Sequence, residues 1–120
     1  SKHKRVVWVV IHCEFMPAPH DPDSRPIIDE MVFHVSGSFR AAGLYVKSRT
    51  EMAPYGWWKV ERRVVDEEDF EADDQPEVRY FNSRGQSRKK APQVAALRAY
   101  DKWQEEEARD NPDYAVVTAK

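Results

Sequence analysis

The stretch from Arg5 to Phe15, RVVWVVIHCEF, limits the fold more than any other part of this chain. As an extended strand it sets Val7, Val9, Ile11, Cys13 and Phe15 on one face and Val6, Trp8 and Val10 on the other, before His12 and Glu14. Apolar, β-branched side chains on both faces require cover on both, so the segment is expected to be a central strand of a sheet. The run is too short for a bilayer span, which takes about 20 apolar residues, and no leader pattern of basic, apolar and small-residue regions is recognised.

Around this strand the chain alternates extended and helical signals. Met16–Pro26 carries Pro17, Pro19, Pro22 and Pro26 and is expected to be a loop, because proline fixes φ and removes a donor. Met31–Val35 is short and apolar and reads as an optional edge strand. Ser36-Gly37-Ser38 then opens a helix over 39–50, with Ser38 as the cap and Phe39, Ala42, Tyr45 and Val46 on one face. Trp57–Asp66 is a strand with Trp58, Val60 and Val64 on one side and Lys59, Glu61 and Arg63 on the other. Arg62 breaks its apolar face, which places the strand's middle near the sheet border.

Asp66–Glu77 holds eight acids in twelve residues, a self-repelling block that reads as a solvated, mobile loop. Val78–Phe81 returns as a strand, and Asn82-Ser83-Arg84-Gly85 turns out of it. A second helix starts at Ala91-Pro92, with a stripe of Ala96, Leu97, Tyr100 and Trp103, and stops at Asn111-Pro112. Tyr114–Ala119 alternates as a short last strand. The 120 residues suit one domain spanning 1–120. The element order implies an α+β class: a two-layer split βαβ (ferredoxin-like) sandwich, with both helices on one face of an antiparallel sheet and an extra edge strand.

Nineteen basic residues against twenty-one acidic give a net charge of −2, so no global field recruits nucleic acid or a membrane. A single cysteine cannot close an internal disulfide and fits a reducing, cytoplasmic setting. No spacing typical of a catalytic or cofactor site occurs; no cofactor is expected, and the reading leans away from an enzyme.

Three constellations remain. Tyr55-Gly56-Trp57-Trp58 puts two tryptophans on opposite faces. Trp58 continues the apolar face, which leaves Trp57, with Trp8, Tyr55 and Arg62, as an exposed aromatic contact surface. This favours a non-catalytic protein-interaction or accessory module, with a protein partner or a homodimer through the sheet face. The alternative is a nucleic-acid-binding domain using Arg79, Tyr80, Arg84, Arg88, Lys89 and Lys90, where four positive charges fall within Arg84–Lys90. A second alternative is a metal-dependent hydrolase at His12, Glu14 and His20. The first two share a strand face, His20 is able to fold back over them, and Cys13 points away.

Overall fold

In a computed structural model that describes residues 4–21, 25–49, 52–66 and 77–110, the chain forms five strands and two helices. They are β1 (Lys4–Met16), β2 (Ile27–Ser36), α1 (Phe39–Ser48), β3 (Gly56–Asp66), β4 (Val78–Asn82), β5 (Ser87–Arg88) and α2 (Gln93–Asp110). The strands make one sheet in the order β2-β1-β3-β4-β5, with every neighbouring pair antiparallel. The α+β class therefore holds. β1 is an inner strand, as its two apolar faces require, and its pairing with β3 runs unbroken from Lys4–Asp66 to Glu14–Gly56.

The split βαβ order does not hold. β2 is a full strand, so the order along the chain is ββαβββα. β2, α1 and β3 make one crossover over the intervening β1. The helices also lie on opposite faces rather than one. Val10, Trp58, Val60 and Phe81 face α1 and close a core with its Ala42 and Val46. Ile11, Cys13, Phe15 and Trp57 face the other way and close a second core with Ala96 and Tyr100 of α2. Adjacent strand residues point to opposite sides, so Trp57 and Trp58 each need a helix, and one helix layer cannot serve both. The expected last strand at 114–119 and the acidic loop at 67–74 lie outside the described residues.

Local chemistry accounts for the element ends. Ser38 has an extended backbone (φ −144°, ψ 154°), and its Oγ accepts from Ala41 N, so it caps α1 as its sequence position suggested. Arg62 sits beside the point where β4 begins, its amide donating to Glu77 O at 2.8 Å. The polar break in β3 thus marks the start of a neighbouring strand, while β3 itself is inner.

β5 was not legible in the sequence. Asn82 Oδ1 accepts from the amides of Arg84 (3.0 Å) and Gln86 (2.9 Å), and its amide donates to Gln86 O. Gly85 takes φ +79° in this turn, against the α1 backbone at Lys47. The product is a tight hairpin where the sequence suggested an exit turn.

Two glycines respond oppositely to an added methyl group. A Cβ at Gly43, inside α1, meets nothing within 4 Å. At Gly56 it lies 2.8 Å from Cys13 O and from the His12 ring. Gly43→Ala should raise stability by about 0.5–1 kcal/mol through helix propensity. Gly56→Ala should lower it by more than about 1 kcal/mol. Urea midpoints of the two variants check this; equal shifts would contradict the packing described here.

Candidate functional site

The residues expected to bind are divided by the sheet. Trp8 pairs with Arg62 and lies on the α1 face, its ring 5.2 Å from Phe39. Trp57 pairs with Cys13 on the opposite face and is only 2% exposed. Phe15 lies 5.4 Å from its ring, and Tyr100 of α2 stands over Phe15. Trp57 is therefore a core residue of the chain itself, and the shared exposed surface with Trp8 does not exist. Tyr55 is half-buried against Trp103 and Tyr100, and Arg62 is half-buried on the Trp8 side.

The basic set is divided too. Arg79 is on the α1 face, over the Phe39 ring at 5.7 Å and paired to Glu77 at 2.6 Å. Tyr80 pairs with Arg88 on the other face. Arg88 donates to Ser87 O (2.8 Å) and Gln86 Oε1 (3.1 Å). Arg84, Lys89 and Lys90 are exposed at the hairpin and just after it. Charge is thus concentrated at the β4–β5 hairpin, and the aromatic–basic group does not form one platform.

His12 and Glu14 share the α1 face, with His12 Nδ1 4.0 Å from Glu14 Oε2, too far for a hydrogen bond. His12 is 3% exposed, wedged against Trp58 (4.6 Å between ring centres) and Phe33 (5.6 Å). Burial holds its pKa below the ordinary histidine value, against the opposing pull of Asp29. Its Nε2 has no hydrogen-bond partner among the described residues. His20 is exposed on the turn closed by Asp21 N and Ala18 O. Among the described residues no three His, Cys, Asp or Glu side chains gather into a group able to hold a metal ion.

Two features escaped sequence reading. The first is a charged row on the α2 side of the sheet, beyond the reach of α2. Lys59 Nζ lies 2.7 Å from Glu30 Oε1 and 3.2 Å from Glu61 Oε1, and Arg63 bonds Glu61 through both Nε and Nη2. Glu61 is buried, which alone would raise its pKa, but the hydrogen bonds from Arg63 and Lys59 outweigh this and lower it. Cys13 Sγ donates to Glu30 at 3.7 Å. Burial, then the Glu30 charge, pushes this thiol up to about 12, so it is no nucleophile at neutral pH. The spacing of Lys59, Glu61 and Arg63 at every second residue was the available signal.

The second is β2. It occupies one edge of the sheet and exposes Ile27, Ile28, Met31, Val32 and Val35, with Met31, Val32 and Val35 each more than half exposed. Alternation puts Ile27 and Met31 on the α1 face and Ile28, Val32 and Val35 on the other. Beside its start, a cleft of about 560 Å³ opens between β1 and α2, lined by Phe15, Pro26, Val94 and Leu97 with Arg25 and Asp101. Among the described residues, half of the exposed large apolar side chains belong to one edge strand, where a monomer ordinarily places charges or proline. No helix among the described residues is long and apolar enough to cross a membrane.

The buried imidazole makes stability depend on pH with a definite sign. An unfolded chain protonates His12 as pH falls through about 6.5, while the folded chain resists. Stability present above that pH is therefore drawn down below it. Glu14 acts oppositely: burial and then Asp29 raise its pKa, so its ionisation costs the fold as pH climbs through the carboxylate range. His12→Phe, which keeps a ring against Trp58, should flatten the loss of stability between about pH 7 and pH 5. Urea midpoints across that range measure it, and an unchanged slope would count against a buried neutral His12. No family model matches the chain, and neither a characterised relative nor a solved structure of significant similarity was found.

Proposed function

We propose that this chain is a non-catalytic protein-interaction module whose docking element is the β2 edge of the sheet. The observation that carries the reading is the exposure of five large apolar side chains on both faces of that strand. Open backbone groups supply directional bonds, and the apolar side chains supply buried area on either side, as in strand addition to a sheet edge. The polar groups do not favour catalysis. Burial and the Glu30 charge push the Cys13 thiol's pKa up, and His12 is buried among aromatic rings with its pKa lowered.

Nucleic-acid binding is the competing reading, supported by the exposed Arg84, Arg88, Lys89 and Lys90. A photo-crosslinking residue at Val32 should give discrete, nuclease-resistant protein adducts that disappear when Val35→Lys is added and persist with Lys89→Ala. Titration with RNA and DNA oligonucleotides at low salt should show no binding. Affinity that falls steeply with salt and is lost when Arg88, Lys89 and Lys90 become Ala would overturn the reading in favour of nucleic acid.

A further inference from the structure

β2 is an edge strand with the side-chain pattern of an inner one. Its ten residues, IIDEMVFHVS, contain no Lys, Arg or Pro, and Asp29 and Glu30 are its only charges, with Glu30 already engaged by Lys59. A helix or loop laid on the sheet covers one face. Only a strand added in the plane of the sheet covers Ile27 and Met31 on one side together with Ile28, Val32 and Val35 on the other. The required partner is therefore a strand with apolar residues on both faces.

The bulge in β2 sets the register in which a second copy of the same strand can be placed alongside it. Val10 pairs with His34 and Ile11 with Val32, so Phe33 is the extra residue. Its ring turns inward to Trp58 (5.3 Å) and His12. With Phe33 set aside, Ile27–Val32 and His34–Ser36 alternate regularly between the faces, and Met31 is the midpoint. An antiparallel pairing of β2 with itself about that midpoint places Met31 beside Met31 of the second copy and Glu30 beside Val32. It also sets Asp29 beside His34, Ile28 beside Val35 and Ile27 beside Ser36, every pair on a shared face. Carboxylate meets imidazole at Asp29–His34 and apolar meets apolar at Ile28–Val35, each twice by symmetry, and the two Met31 side chains meet at the axis, while Glu30–Val32 and Ile27–Ser36 are mixed pairs. Stacking on Tyr45 (4.4 Å, 6° between planes) already fixes the His34 ring. Moving the axis to Glu30 opposes two carboxylates, and moving it to Val32 leaves Ile27 and Ile28 uncovered.

We propose that two copies of this chain pair through β2, antiparallel about a two-fold axis at Met31, joining their five-stranded sheets into one continuous sheet. This rests on the reading of the chain as a protein-interaction module and names its partner. The Glu30 carboxylate sits next to the axis, paired to Lys59 of its own copy.

Directly opposed antiparallel residues have Cα atoms about 4.5–5.5 Å apart, within disulfide reach. Met31→Cys should therefore form a covalent dimer under mild oxidation. Ile27→Cys, whose two copies would lie at opposite ends of the pairing, should not, and the wild type with its buried Cys13 is the control. Sedimentation velocity should show a dimer for the wild type and a monomer of unchanged circular dichroism for Met31→Glu. Asp29→Lys and His34→Glu should each weaken the dimer by about tenfold, and the double substitution should restore it; this covers a Met31 variant that fails to fold.

A monomer at every concentration, with no cross-link at Met31→Cys, overturns the proposal. In that outcome discrete intermolecular adducts at Val32 would assign the edge to a foreign strand, leaving the interaction reading in place. Cross-linking at Ile27→Cys instead of Met31→Cys overturns the two-fold register and with it the proposal.

Discussion

The adjacent pair Trp57-Trp58 is the constraint on which the fold depends. On a strand the two rings must point to opposite faces, and both are almost completely buried. Each therefore organises its own core. Trp58 collects ring contacts from His12, Phe33 and Tyr45 beneath α1, and Trp57 collects Phe15 beneath α2. Gly56, immediately before them, lets β3 approach Cys13 O and the His12 ring more closely than any side chain would allow. A chain with this dipeptide on an inner strand is committed to helices on both faces of its sheet, and that commitment excludes the arrangement suggested by element order alone.

α2 covers only the end of its face, where Ile11, Cys13, Phe15 and Trp57 lie. Beyond that footprint the sheet carries Glu30, Lys59, Glu61 and Arg63, linked across β1 from β2 to β3. Such a row adds little net stability, since desolvation offsets much of the attraction. Its physical effect is on register. A one-residue slip of β2 would carry Glu30 to the α1 face and leave Lys59 with one carboxylate fewer. The row thus fixes the position of the edge strand, while the strand's apolar residues remain uncovered.

Much of the element list was legible because it rests on local rules: β-branched runs for β1 and β3, Ser38 for the start of α1, and Pro92 for the start of α2. What was not legible depends on pairing. Two helices and a sheet are compatible with one covered face or two, and only the side-chain register of β1 against β3 shows that Trp8 and Trp57 part company. The β4–β5 hairpin depends on the Asn82 side chain replacing backbone acceptors, which composition does not reveal. Of the candidate site residues, the cations Arg84, Arg88, Lys89 and Lys90 are exposed at the hairpin and just after it. Trp57 was misplaced because an aromatic outside the first core was assumed to lack a second one.

The weak alternation of Met31–Val35 has the same kind of cause. Read without a bulge, Phe33 and His34 fall on opposite faces and the pattern fails. In the folded chain Phe33 is inserted between two paired positions, so that it and His34 both belong to the α1 face and Val35 returns to the other. The insertion lets β2 contribute a ring to the Trp58 core without disturbing the two-residue period of its remaining side chains. That period has no use in the chain's own core, because β1 covers only one edge of β2 and the apolar residues on both faces remain exposed. A regular alternation with apolar residues on both faces is needed only where another strand lies alongside. The bulge therefore allows one ten-residue segment to meet two demands: packing inward against Trp58 and presenting an outer edge shaped for a strand like itself.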